Sequence, residues 1–151
     1  MGEAQDRLKA LITTEWGPAL RELGFKGSGR VWTLPDERDW VMLGIQTSTG
    51  STSREAKFTF NLLVVGKSVW SEAFIHRPYI GARPNPNVMS VYRLQQRSGF
   101  LTHGEDHWWL LAGDGSNENA ISREVLEALR SAIVPAIISE MASPSPEPRR
   151  Y

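Results

Sequence analysis

Apolar residues recur at three- and four-residue steps near both ends of the chain and at two-residue steps between them. Leu8, Leu11, Ile12, Trp16, Ala19, Leu20 and Leu23 make one stripe, which predicts an N-terminal helix. Gly24 follows at the place where a left-handed cap favours glycine, and Phe25 can fold back onto the last turn. Pro18 removes an amide donor and crowds the turn before it, so the helix should kink or break near Glu15–Gly17. A second stripe, Ile121, Val125, Leu129, Ile133, Ile137 and Met141, predicts a helix from about Asn119 to Met141. Ser116, Asn117 or Asn119 can cap its start, and Pro135 interrupts it.

Between the helices the period is two. Strands are predicted at 30–34 (RVWTL), 39–47 (DWVMLGIQT), 57–65 (KFTFNLLVV), 88–97 (VMSVYRLQQR) and 107–112 (HWWLLA). The glycine-rich KGSGR of 26–30 reads as a basic approach to the first of them, and the turn at Pro35–Arg38 and the loop at Thr49–Ser53 make the first three strands a meander. The 68–87 stretch carries Pro78, Gly81, Pro84 and Pro86, which disfavours a central strand; Val69–Ile75 reads as a short helix or an irregular edge. The fold class is therefore α+β: an antiparallel sheet of about five strands with the N- and C-terminal helices packed on one face. Residues 1–142 form one domain, and 143–151, with Pro144, Pro146 and Pro148 and almost no apolar residue, form a disordered tail that folding should not need.

Alternation assigns the two faces of the sheet. Val41, Leu43 and Ile45, with Phe58, Phe60, Leu62 and Val64, should face the helices. The other face then carries Trp40, Gln46, Thr59, Asn61, Arg93 and Arg97, among others. Such a face can simply be solvated, as antiparallel sheets often are on one side. It also suits recognition, with Trp and Arg as anchors and amides for hydrogen bonds, so these six are the candidate binding residues. A bulge would move part of the set to the other side.

Composition narrows the chemistry. Seventeen Lys and Arg balance 17 Asp and Glu, and cysteine is absent, which excludes disulfides, thiolate metal sites and cysteine nucleophiles. No apolar run is long enough for a membrane span, and the first ten residues lack the apolar stretch of a signal peptide, so a cytoplasmic protein without a membrane partner is expected. Arg77, Arg83, Arg93 and Arg97 lie between Ala73 and Gly104 with no acid among them. Four arginines there are too sparse for a nucleic-acid footprint, and nucleic acid is not expected as a partner. Phosphate-binding, dinucleotide-binding and serine-hydrolase motifs are missing, so no catalytic residue is assigned and no cofactor is expected. His103-Gly104-Glu105-Asp106-His107 has a His-x3-His spacing that can bind zinc, with His76 as a further nitrogen, but Gly104 points to a turn rather than a helix. His103 and His107 stand only as an alternative metal pair.

Three segments carry a family resemblance. Ala19–Leu34 (ALRELGFKGSGRVWTL), Val41–Gln46 (VMLGIQ) and Lys57–Leu62 (KFTFNL) resemble the bacterial family catalogued as domain of unknown function 4304. The resemblance spans about residues 5–140 and implies an α+β domain of bacterial origin. Gln46 and Asn61 fall on polar positions of its motifs, and Leu23, Gly24 and Phe25 on its capping positions. The functional expectation is a non-enzymatic module that binds another protein, immunity-like or accessory. The alternative is a metal-assisted hydrolase using the HGEDH segment.

Overall fold

A computed structural model describes residues 2–148. Strands β1 (Lys26–Ser28), β2 (Val31–Thr33), β3 (Asp39–Thr47) and β4 (Glu55–Gly66) pair antiparallel in chain order. β5 (Leu94–Arg97) and β6 (Trp109–Ala112) share the remaining side of β4: β5 lies against Asn61–Val64 and β6 against Glu55–Phe58. The α+β expectation holds, with a sheet of six strands rather than about five. The additional strand is β1, inside KGSGR. Gly29, at φ +64°, helps close a two-residue hairpin loop that folds Lys26–Ser28 back onto β2.

Both long helices carry the same local solution to a proline. Helices α1 (Glu3–Leu11) and α2 (Gly17–Glu22) are joined through a π turn at Ile12–Trp16; it ends two residues before Pro18. After α3 (Lys67–His76) and α4 (Gly99–Thr102) come α5 (Glu118–Ala128) and α6 (Val134–Met141), joined through a π turn at Leu129–Ile133, two residues before Pro135. Gly17 N–H reaches back to Ile12 O, and Val134 N–H to Leu129 O. The wider turn makes room for a ring that would clash with the carbonyl four residues earlier. The expected breaks are thus absorbed and the apolar stripes stay in register. At the end of α2, Gly24 N–H bonds to Arg21 O and Phe25 N–H to Leu20 O at 2.9 Å, with Gly24 at φ +96°. That is the expected glycine cap, and Phe25 is buried beneath it.

The helices cover the face that alternation assigned to them. Val41, Leu43, Ile45, Phe58, Phe60, Leu62 and Val64 are all fully buried against Leu8, Trp16 and Leu20 from one helix and Val125, Leu129, Ile133 and Ile137 from the other. Trp16, Phe58, Phe60 and Trp109 form an aromatic centre, with Phe58 stacked on Trp109 at 5.7 Å. Trp16 Nε1 donates to Ser122 Oγ at 3.1 Å, which satisfies the buried indole and ties α5 to the N-terminal helix.

The opposite face is not the open, wet surface that alternation suggested. Met42, Leu63, Val65 and Trp70 form a second buried cluster, with Val31, Trp40, Val69, Ile80 and Val91 packed on it. The cover is α3 and the irregular crossing that follows it. Trp70, buried at the start of α3, donates its indole N–H to Gly81 O at 2.9 Å and so pins the crossing to the helix.

The stretch read as a disordered tail makes specific contacts. Arg38 donates to Ser143 O at 2.7 Å and Arg93 to Pro146 O at 3.2 Å. Residues 149–151 lie outside the described residues.

Candidate functional site

The six candidate binding residues separate into two groups. Gln46, Asn61 and Arg97 come together at one end of the second face; Trp40, Thr59 and Arg93 do not join them.

Arg93 is the sharpest correction. Its N–H bonds to Val64 O while Leu94 registers with the same Val64, so two residues of one strand oppose one residue of the other. This bulge breaks the alternation and turns the guanidinium toward the helix side. There, fully buried, it donates to Asp39 at 2.8 Å and to Glu140 at 2.9 Å. Arg38 adds a bond of 2.8 Å to the same Asp39. Burial works against ionisation of Asp39, yet the hydrogen bonds and charge of Arg93 and Arg38 outweigh it and hold the carboxyl below the usual aspartate range. Arg93 is therefore a structural tie between β3, β5 and α6, not a surface anchor.

Thr59 is also buried; its hydroxyl donates to His107 O at 3.1 Å, at the junction between β5 and β6. Trp40 sits in a separate hollow of about 470 Å³, with the cations of Lys67 and Arg83 over its ring at 5.0 and 5.4 Å.

The remaining three line a cleft of about 630 Å³ between the end of β3–β4–β5 and the crossing segment. Asn61 is its centre. Its Nδ2 donates to Gln46 Oε1 at 2.8 Å and to Asn87 Oδ1 at 2.9 Å, and Asn87 Nδ2 donates in turn to Ile45 O at 3.3 Å. Gly44, opposite Asn61 in the ladder, makes this possible: a Cβ there would collide with the Asn87 side chain and come within 2.9 Å of Pro86 Cγ. Gln95 enters from β5, its Nε2 donating to Val88 O at 3.0 Å and its Oε1 buried without a donor. Arg97 donates to Asp106 at 3.2 Å and lies 5.1 Å over Trp108. The rim is apolar, with Met89 75% and Phe100 49% exposed. Asn87, Gln95, Met89 and Phe100 were not among the sequence candidates. Asn87 and Phe100 reach the cleft from irregular chain and a four-residue helix, where no period speaks; Met89 lies in 88–93, expected as strand but irregular up to Leu94, whereas Gln95 alternates with Leu94 and was legible.

The alternative metal pair is placed against metal binding. The His103 and His107 rings stack at 3.6 Å between centroids with planes 15° apart. Lone pairs lie in the ring planes, so two parallel rings cannot both aim them at one ion between them. Among the described residues no group of three His, Cys, Asp or Glu side chains could hold a metal. Burial first, and the neighbouring His103 second, push the His107 imidazole below its ordinary value, against the pull of Glu124, Glu105 and Asp106. His103 borders another cleft, of about 870 Å³, between α4 and the α5–α6 helix, lined also by Trp109 and Arg123 among others.

A family model for a domain of unknown function, DUF4304, matches residues 16–138. The chain belongs to that family. The matched span contains the whole sheet, the second π turn and the described walls of the amide cleft, so this DUF4304 domain carries its candidate site within the family region. No curated protein and no solved structure matches it. Among the described residues no helix is long and apolar enough to cross a membrane.

Proposed function

We propose that this DUF4304 protein is a non-enzymatic recognition module that binds another protein through the amide cleft, as an immunity-like or accessory factor in a bacterial cytoplasm. The observation that carries the reading is the cleft itself: a concave, polar site whose central amide is oriented from two sides and whose rim exposes Met89 and Phe100. Oriented polar groups with exposed apolar neighbours are what a selective interface needs. No nucleophile with a general base lies among the cleft residues, and the parallel stacking of His103 and His107 favours this reading over a metal-assisted hydrolase.

The test is position-specific photo-crosslinking in the native cell. A benzophenone amino acid at Phe100 should give a discrete adduct with another protein, suppressed by Met89→Asp. The same probe at Ile138, exposed on α6, should not. Equal adducts from both positions, or none from Phe100, would overturn the reading.

A further inference from the structure

We infer that the cleft reads a side-chain carboxamide, an Asn or Gln, presented by an extended segment of the partner laid along the outer edge of β5. This selectivity rests on the protein-recognition reading above and adds the chemistry of what is recognised.

The fold orients three amides so that their unused atoms are defined. Both hydrogens of Asn61 Nδ2 are committed, to Gln46 Oε1 and Asn87 Oδ1, so Asn61 Oδ1 is left as an acceptor. Gln46 has given its oxygen to that bond and keeps its NH2 as a donor. Gln95 must point its NH2 at Val88 O, because a carbonyl cannot accept from Oε1; its oxygen is therefore turned away, buried and without a donor. The three amides thus present two acceptors and one donor, the Gln95 oxygen lying buried in the wall, and Arg97 beside them is engaged by Asp106 at 3.2 Å. A primary carboxamide brings two N–H donors and one carbonyl acceptor, the complementary set. A carboxylate would set oxygen against two oxygens and would have to share Arg97 with Asp106. An ammonium would meet Arg97 in a cleft lined by no acid. An unsatisfied buried acceptor is costly, and a ligand N–H removes that cost, so Gln95 Oε1 favours a donor-bearing ligand over a purely apolar one.

The edge strand selects an extended chain over a free amide or a base. β5 is hydrogen-bonded to β4 alone. Ser98 N–H bonds inward to Phe60 O, so by alternation the main-chain groups of Gln95 and Arg97 face outward. A partner strand can satisfy those groups while its side chain enters the cleft. One arginine lines the site, too little positive charge to hold a phosphate backbone. Met89 and Phe100 would flank the carboxamide and favour apolar neighbours on either side of it.

The experiment selects random dodecapeptides displayed on phage against the full chain, then measures synthetic versions by fluorescence anisotropy. Enriched peptides should share one Asn or Gln among apolar or β-branched residues, and changing it to Asp or Glu should weaken binding at least tenfold. Gln46→Glu, which turns the one free donor into an acceptor, should weaken the carboxamide peptides by a similar factor. Met89→Asp touches none of the amide bonds and should also weaken them, which keeps the test open if Gln46→Glu does not fold. No enrichment, enrichment indifferent to the carboxamide, or preferential binding of single-stranded oligonucleotides at the cleft would overturn the inference. A crosslink at Phe100 that survives Gln46→Glu overturns the carboxamide reading alone; absence of any crosslink there overturns the recognition reading with it.

Discussion

Leu62 and Leu63 are neighbours on β4 and point into two different interiors. Leu62 joins the large core, where both long helices close over Phe58, Phe60 and Trp109. Leu63 joins the small cluster of Met42, Val65 and Trp70, roofed by α3 and the proline-rich crossing. The first face is held by regular elements whose packing leaves little room to relax. The second is held by one short helix and irregular chain, and it gives way to polar side chains at the Gln46–Asn61 end. Stability is concentrated on one side of the sheet, which leaves the other side to present a cleft.

The same substitution at the two leucines measures that difference directly. The cost of Leu→Ala in a core depends on how far the surroundings collapse into the space left behind. Leu62→Ala should cost about 4–5 kcal/mol, at the upper end of that range, and Leu63→Ala about 2–3 kcal/mol, near its lower end. Chemical denaturation of both variants checks this. Equal losses would mean that the crossing segment is as rigidly packed as the helices.

Which parts were legible follows from the same contrast. Alternation in VMLGIQT and KFTFNLLVV placed Val41, Leu43, Ile45, Phe58, Phe60, Leu62 and Val64 correctly toward the helices, because a strand paired along its length keeps a period of two. Gly24 and Phe25 were legible because a left-handed cap has a residue signature. The roof over the second face was not, since Pro78, Pro84 and Pro86 announce irregular chain without saying where it lies. Arg93 was lost to a bulge, which one sequence does not reveal. In the cleft, Gln46 and Asn61 were read from their face, whereas Asn87 arrives from the crossing, across Gly44.

The buried tie at Arg93 joins β3, β5 and α6, at the end of the sheet remote from the cleft. Arg93→Leu would leave Asp39 buried with Arg38 alone and should cost about 3–4 kcal/mol, as removing one member of a buried ion pair does. It should also change the acid limb. Because the folded Asp39 pKa lies below its unfolded value, its contribution is present above the unfolded pKa and is lost as pH falls through the folded one. Wild type should therefore lose stability below about pH 4, the unfolded aspartate value, and Arg93→Leu should lose less over that window. Urea midpoints taken from pH 6 down to pH 2.5 check both statements.

A smaller effect is expected from the C-terminal segment. Truncation after Ala142 removes the Ser143 and Pro146 carbonyls that accept from Arg38 and Arg93. Hydrogen bonds to charged groups contribute about 1.5–3 kcal/mol each when fully made. With Arg38 half-exposed and the remaining bonds of Arg93 intact, the loss should be about 1–2 kcal/mol by thermal or urea unfolding, rather than none. An unchanged midpoint would support the reading of this segment as a dispensable tail.

The smallest change should have the most local consequence. Gly44→Ala adds one methyl on the cleft side of β3, where Asn87 and Pro86 already occupy the space it would take. Asn87 is the element free to move, so its side chain should swing away and release Asn61 Nδ2. The cost should be about 1 kcal/mol, the net value of one amide hydrogen bond, and the large core should not register it. The orientation of Asn61 would no longer be imposed from both sides, so its oxygen would stop being a fixed acceptor. In NMR spectra the side-chain amide signals of Asn61 and Gln46 should shift while the indole signal of Trp16, in the opposite interior, stays in place. Movement of the Trp16 signal would show that the two faces are mechanically coupled and that the cleft is not an independent part of the fold.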